Sequence, residues 1–315
     1  MNFKEKKKFA CPLCHSALVF GKSKIKCKKC KQEFAVKNGI PIFLPKNLKE
    51  FKKGEALFHD NHAGEYDKSH CLNSRKVQAI HSSFLQYLDR MQKGAEIIEI
   101  GCGTGEDIIK IAEKGFRVFG CDISEKMVEK TKQKLKERKK EEKAEFFVAD
   151  AEMLPFKANS FDASLIVAAL HHLENPKKAL NEIARITKPN GFVIIGSEPN
   201  SWPYYFKKIK HSKIGKKIVS VFRKDYNVEE VSIGDKKTFG FREKELRKMA
   251  EEAGLKVIEF EYVLFLGGFL LVLKIELPKK MEEAILAFDR MLARVPKIKK
   301  AGWHINVLLQ NKKEK

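Results

Sequence analysis

The sequence predicts an α/β fold built on a parallel sheet, with a small metal-binding unit at its N-terminus. Two observations carry that reading. One is a glycine-rich turn, Gly101-Cys102-Gly103-Thr104-Gly105, set between an apolar strand and an apolar-periodic helix. The other is a pair of CxxC motifs, Cys11–Cys14 and Cys27–Cys30, separated by twelve residues. The chain has 315 residues, 43% of them hydrophobic, enough for a sizeable core and too many for a disordered chain.

The N-terminal unit comes first. Each CxxC pair makes a tight knuckle with two thiolates near one ion, and the spacer between pairs is long enough for a hairpin, the spacing of a tetrahedral zinc site. Cys11, Cys14, Cys27 and Cys30 are the expected ligands of a structural zinc closed to catalysis. The spacer LVFGKSKIKC reads as two short strands about a Gly-Lys-Ser turn, and KQEFAVKNGIPIFLP as two more about Asn38-Gly39. So small a unit has little core, and metal binding would supply its folding energy. A disulfide framework fits poorly with an N-terminus that has no apolar leader, and a redox site needs one pair rather than two. This segment resembles the zinc ribbons of small activator subunits serving tRNA and translation-factor methyltransferases, and the N-terminal ribbon of ribosomal-RNA guanine methyltransferases, which tend to use three cysteines and a histidine. Four cysteines here depart from that last pattern.

Charge is unevenly spread. The formal net charge is +22, and residues 1–46 hold 12 lysines against 2 glutamates. A positive field attracts phosphates, so RNA docking through residues 1–46 is one expectation. Of the 63 basic residues only 10 are arginine, and a lysine excess of that size also fits a solvated surface.

Residues 47–93 read as a linker and an entry helix. Lys46 to Gly54 is charged and without period, a linker or short helix. Between Cys71 and Met91 the apolar residues Val77, Ile80, Phe84, Leu85 and Leu88 recur at helical steps. His59, His62, Tyr66 and His70 fall in a polar stretch that reads as exposed loop, with metal binding by the histidines the alternative.

The most informative stretch follows. Ile97 to Ile100 is a buried strand, Ile108, Ile109 and Ile111 mark a helix, and Phe116 to Cys121 is a second strand ending in Asp122. Glycines between strand and helix allow close approach of a ligand to backbone. Asp122 stands where a carboxylate can accept both hydroxyls of a ribose. The pattern is GxGxG, an acidic residue Glu99 precedes it by two, and a second acidic strand end, Asp150, follows in AEFFVADAEMLPF. Asn159-Ser-Phe-Asp162 then opens a fourth strand, His171-His172-Leu173 follows it, Pro176 to Thr187 is helical, and Lys188-Pro-Asn-Gly191 turns into a fifth strand.

This ordered series resembles the class I S-adenosylmethionine-dependent methyltransferases, particularly the group containing ubiquinone and menaquinone biosynthesis methyltransferases. The resemblance is firm over residues 94–200 and loose to 315. It implies a Rossmann-like, seven-stranded sheet over residues 94–315, with a seventh strand, AGWHINVLLQ, antiparallel between the fifth and the sixth, LKVIEFEYVLF. It implies S-adenosylmethionine as cofactor. Glu99 and the backbone of Gly101, Gly103 and Gly105 would hold its amino-acid end, Asp122 its ribose with Ile123 against adenine, Asp150 and Ala151 the adenine amine side, Ala168 the methionine portion. Tyr66 would close over it, and His172 is the candidate for direct action on the acceptor. Asp162, Cys102, Cys121 and His171 read as structural.

Residues 201–240 form an insertion in which Trp202, Tyr204, Tyr205 and Phe206 line an acceptor pocket or pack a core. The acceptor expected first is a small or lipid-like metabolite. The alternatives are RNA held by the basic ribbon and an inactive methyltransferase-fold module that binds another protein. The longest apolar run, Tyr262 to Leu273, is too short to span a bilayer, and the default compartment is the cytoplasm.

Overall fold

A computed structural model describes residues 6–70, 72–202, 232–237, 240–272 and 275–312. Its centre is one twisted sheet of eleven strands. The N-terminal segment supplies four: β1 (Leu18–Phe20), β2 (Lys24–Cys27), β3 (Glu33–Lys37) and β4 (Ile40–Ile42). The rest are β5 (Glu96–Ile100), β6 (Arg117–Asp122), β7 (Ala144–Val148), β8 (Phe161–Val167), β9 (Thr187–Pro199), β10 (Leu255–Val263) and β11 (His304–Asn311). Their order is β1-β2-β3-β4-β7-β6-β5-β8-β9-β11-β10. Pairing is parallel from β4 through β7, β6, β5 and β8 to β9, and antiparallel at both flanks. β11 lies antiparallel between β9 and β10, where the sixth and seventh strands were expected.

The strand count differs from an expectation of seven with a ribbon apart. The four N-terminal strands prolong the sheet at β7, because β4 runs parallel to β7 with Ile42 opposite Val148 and the Phe43 N–H donating to the Val148 carbonyl at 2.8 Å. Aromatic burial makes the join energetically sensible. Phe9 stacks on Phe43 at 5.4 Å and lies 4.8 Å from Phe156, which meets Phe147 edge-on at 5.0 Å. Each such ring removes a large apolar area from water. The turn between β3 and β4 has Asn38 and Gly39 at φ +48° and +78°, the left-handed pair a two-residue hairpin demands.

Helices cover both faces. On one side lie α3 (Arg75–Leu85), α4 (Glu106–Glu113) and α5 (Glu125–Glu137), contributing Ile80, Phe84, Ile108, Ile111, Val128 and Leu135 to a core with Ile97 and Val118. On the other, α6 (Pro176–Ile186) and a helix at Glu243–Glu252 bury Leu180, Ile183, Leu246 and Ala250 against Ile98, Phe119 and Val193. Alternation along β5 sends Ile97 to the first core and Ile98 to the second. Helix starts follow local chemistry: the Ser74, Ser124 and Asn175 side chains accept from Val77, Met127 and Lys178 N–H groups, and Pro176 sits at the first turn of α6.

Two further helices matter for the site. Residues read as linker and polar loop form α1 (Glu50–His62) and a short α2 (Tyr66–Ser69). Strand order reverses at β5, with β6 on one side and β8 on the other. That reversal opens a crevice at the strands' carboxyl ends, the place where such sheets bind ligands. Helix α1 lies over it.

Candidate active site

The glycine loop leaves β5 at Ile100. Gly101, Gly103 and Gly105 have φ of +71°, +50° and +81°, values that L side chains resist. Space makes the demand stricter at two of them: a Cβ on Gly101 would stand 2.6 Å from the Ala169 Cβ, and one on Gly105 2.4 Å from Thr131 Cγ2. Gly101 and Cys102 N–H groups both donate to the Cys121 carbonyl, at 2.8 and 3.0 Å, which ties the loop to the end of β6.

Asp122 ends β6. Its Oδ2 accepts the Gly103 N–H and its Oδ1 the Ser124 N–H, each at 2.9 Å. Each oxygen keeps capacity for another donor, and the two backbone bonds fix the carboxylate's plane. Asp150, past β7, is held likewise: Oδ1 accepts the Glu152 N–H at 2.9 Å, and Oδ2 meets Lys52 Nζ at 2.5 Å. Lys52 also reaches Glu152 Oε2 at 2.8 Å. Burial pulls the Lys52 ammonium down, but the Asp150 and Glu152 carboxylates outweigh it and hold its pKa above the ordinary lysine value.

A cavity of about 760 Å³, measured out to its open mouth, joins these groups. Tyr66, Gly101, Gly103, Asp122 and Ile123 line it, as do Asp150, Ala151, Ala168 and His172. Two expected residues are not on its wall. Gly105 caps α4 behind the loop. Glu99 is buried under it, its Oε2 without a hydrogen-bond partner among the described residues. Burial first, then the nearby negative Asp107 and Asp122, pushes the Glu99 pKa well above the carboxylate range.

The two adjacent histidines separate cleanly. Buried Glu198 accepts the Ala169 and Leu170 N–H groups at 3.0 and 2.8 Å and meets His171 Nδ1 at 2.8 Å. His171 thus braces the turn after β8. His172 faces the cavity, with Nδ1 3.0 Å from Ser232 Oγ and 3.3 Å from Glu55 Oε2. Asp162 accepts the Glu96 N–H at 2.9 Å and Lys188 Nζ at 2.7 Å, a pinning role. Trp202 donates to the Gly302 carbonyl and packs edge-on to Trp303, away from the cavity wall. Tyr204, Tyr205 and Phe206 lie outside the described residues.

Sequence reasoning missed the wall built by α1. Phe51, Lys52, Glu55 and His59 all line the cavity. Residues 52, 55 and 59 share one helical face, but that face is polar, and a polar stripe reads as solvated when its partners are unknown. The other two histidines of that stretch go elsewhere: His62 stacks on Phe58 at 4.2 Å and His70 on Tyr66 at 4.0 Å.

At the far end of the sheet the four N-terminal cysteines converge. Their sulfurs lie within 4.8 Å of one another, with Cys11–Cys30 at 3.6 Å and Cys14–Cys27 at 3.5 Å. A tetrahedral zinc with ~2.3 Å bonds sets sulfur–sulfur edges of about 3.8 Å, so the donor set fits that ion.

Residues 98–195 match a family model described as a methyltransferase domain. A demethylmenaquinone methyltransferase of Staphylococcus epidermidis is 30% identical over 205 residues, 63% of this chain and 83% of that protein. One from Paenarthrobacter aurescens is 37% identical over 102 residues, 32% of this chain and 38% of that protein. A tRNA (carboxymethyluridine(34)-5-O)-methyltransferase of Arabidopsis thaliana is 35% identical over 112 residues, 35% of this chain and 25% of that protein. The chain thus spans well under half the length of several curated relatives it matches. A phosphoethanolamine N-methyltransferase from Haemonchus contortus, solved with S-adenosyl-L-methionine, superposes with a TM-score of 0.55 at 17% identity, covering 87% of this chain and 62% of that one. That likeness bears on the fold.

Proposed function

Since the chain belongs to the class I S-adenosylmethionine-dependent methyltransferases, we propose that it is an enzyme that methylates a small or lipid-like metabolite. One observation carries the reading: a glycine loop and two backbone-anchored carboxylates, Asp122 and Asp150, line one cavity at the carboxyl ends of parallel strands. S-adenosylmethionine would supply a methyl group already activated as a sulfonium. The chain's own residues have the work of holding and aligning. Asp122 would accept the ribose hydroxyls, with Ile123 beside the adenine. Asp150 would take the adenine amine, sharing its carboxylate with Lys52, and Ala151 would add a backbone contact. The Gly101–Gly105 backbone, with Glu99 buried beneath it, would hold the amino-acid end, and Ala168 and Tyr66 would enclose the methionine arm.

Alignment of an acceptor atom behind the methyl group accounts for much of the expected acceleration, in principle ~7–11 kcal/mol for a well-oriented pair. A proton acceptor is needed only where the acceptor atom carries a proton, and adds about 10²–10⁴-fold. His172, on the cavity wall with Glu55 beside it, is the residue we assign to the acceptor side. Cys11, Cys14, Cys27 and Cys30 would hold a structural zinc, since four sulfurs leave no open position.

Menaquinone-type relatives support a metabolite acceptor. The excess of ten positive charges over residues 1–46, 12 lysines against 2 glutamates, and the tRNA-methylating relative support RNA as the second reading. Transfer of radiolabelled methyl from the cofactor into whole-cell fractions decides between them. Label in the small-molecule or lipid fraction is expected. Label in RNA would favour the second reading, and cofactor binding with no label anywhere would leave a binding module.

A further inference from the structure

We propose that Glu55, His59 and His172 form a binding site for a divalent first-row transition-metal ion on the wall of the cofactor cavity. One ligand atom from each lies within 4.8 Å of the other two. All three line the cavity. Glu55 is the informative member. It is 4% exposed, and its Oε1 is pinned by the Gly234 N–H at 2.7 Å. That bond aims Oε2 at the two imidazoles, 3.3 Å from His172 Nδ1 and 3.8 Å from His59 Nε2, while Oε2 makes no hydrogen bond among the described residues. A buried carboxylate oxygen left without a hydrogen bond is costly. An ion between the three side chains would satisfy that oxygen, with one nitrogen of each imidazole as its other ligands.

Two imidazoles and one carboxylate suit zinc, iron, cobalt or manganese and leave coordination positions open. Separation from the cysteine cluster is chemical as well as spatial, since four thiolates favour a closed structural site. Fold and sequence distance explain why no local motif announces the trio: Glu55 and His59 come from α1, one turn apart, and His172 from the turn after β8.

The inference deepens the methyltransferase reading and rests on it for its chemistry. An ion here would bind an acceptor hydroxyl, such as a phenol or enol, and lower its pKa. The hydroxyl proton would leave to water. The oxygen would then form its bond to the methyl carbon as the carbon–sulfur bond breaks, the electron pair passing to sulfur and cancelling the sulfonium charge. An oxygen acceptor able to reach a metal is therefore the substrate class this site would take.

Cobalt(II) alone is the probe, added to full-length protein whose cysteine cluster is filled with zinc. One Co²⁺ per chain is expected, with weak ligand-field bands and no thiolate-to-metal charge-transfer band. Glu55→Gln and, separately, His59→Ala should each weaken that binding by roughly tenfold or more, since even outer-shell partners act on that scale. A cooperative melting curve shows that each variant is folded. In the unaltered protein, hyperfine-shifted imidazole resonances from two histidines should accompany cobalt. Absence of those shifts overturns the proposal however the variants fold, as does cobalt found only on thiolates or bound by both variants as tightly as by the unaltered protein. None of these readouts needs turnover. An intact metal site with no methyl transfer to any fraction would sink the function alone, and transfer without metal binding would sink the site alone.

Discussion

Asp122 shows how much a single carboxylate can carry. Its two oxygens each accept a backbone N–H, from Gly103 and from Ser124, so the side chain is preset before any ligand arrives. Asp122→Ala should weaken S-adenosylmethionine binding by about 1.5–3 kcal/mol, the scale of hydrogen bonds to a charged group, with the melting curve showing a folded protein. Unchanged affinity by calorimetry would remove Asp122 from the ribose. Glu99 predicts the opposite balance. Burial and the charges of Asp107 and Asp122 raise its folded pKa well above 4.5. The folded chain therefore keeps a proton that the unfolded chain loses near that value, and stability falls as pH rises from there through the raised folded pKa. Glu99→Gln should flatten that slope, raise the melting temperature at neutral pH, and weaken cofactor binding. Melting curves from acid to neutral pH test the first effect. Affinity untouched by the change would make Glu99 a residue of the fold only.

Among elements, α1 is the one whose role sequence reasoning did not find. It lies on the site through Lys52, which sits between Asp150 and Glu152. Asp60 adds a tie at its other end, accepting the Ser124 hydroxyl at 2.5 Å and the Lys126 N–H at 3.0 Å at the start of α5. Removing one partner from a buried ion pair strands the other charge. Lys52→Ala should thus cost on the order of 3 kcal/mol. Amide hydrogen exchange should show the loss concentrated in α1 and the segment following β7. Uniform loss across the sheet, or none, would mean that α1 is not held by this contact. The helix at residues 75–85 was easier to read, because its buried side chains Val77, Ile80, Phe84 and Leu85 are apolar and periodic.

At the scale of the molecule, the N-terminal segment is part of the sheet. Phe9, Phe34 and Phe43 join Phe147 and Phe156 in one core, and Lys8 reaches Glu96 at 2.6 Å and the Ser160 carbonyl at 2.8 Å. Deleting residues 1–46 would bare that aromatic wall and the edge of β7. The shortened chain should melt well below the full one or fail to fold, and a cooperative melt at the parent temperature would show residues 1–46 to be a separate unit. The metal gives a gentler test. The cysteine cluster should hold one zinc, so the Cys27→Ser, Cys30→Ser variant should carry one zinc fewer per chain by elemental analysis and melt at a lower temperature, because binding energy at such a site is folding energy. Full zinc in that variant would sink the ligand assignment.

Local sequence determined what local chemistry can determine. Two CxxC pairs at hairpin spacing marked the cysteine cluster, and the glycines at 101, 103 and 105 marked a turn that only a positive φ permits. Acidic residues at strand ends marked Asp122 and Asp150, since a parallel strand delivers its last residue to the crevice. Tertiary structure alone decided the rest. The register of Ile42 against Val148, which joins the N-terminal strands to the rest of the sheet, depends on two edges meeting across a hundred residues. The partnerships of Lys52 with Asp150 and of Glu55 with His172 likewise join groups more than ninety residues apart. A polar side chain declares no face of its own: the same lysine is solvated on an open helix and buried between two carboxylates here, and only packing chooses.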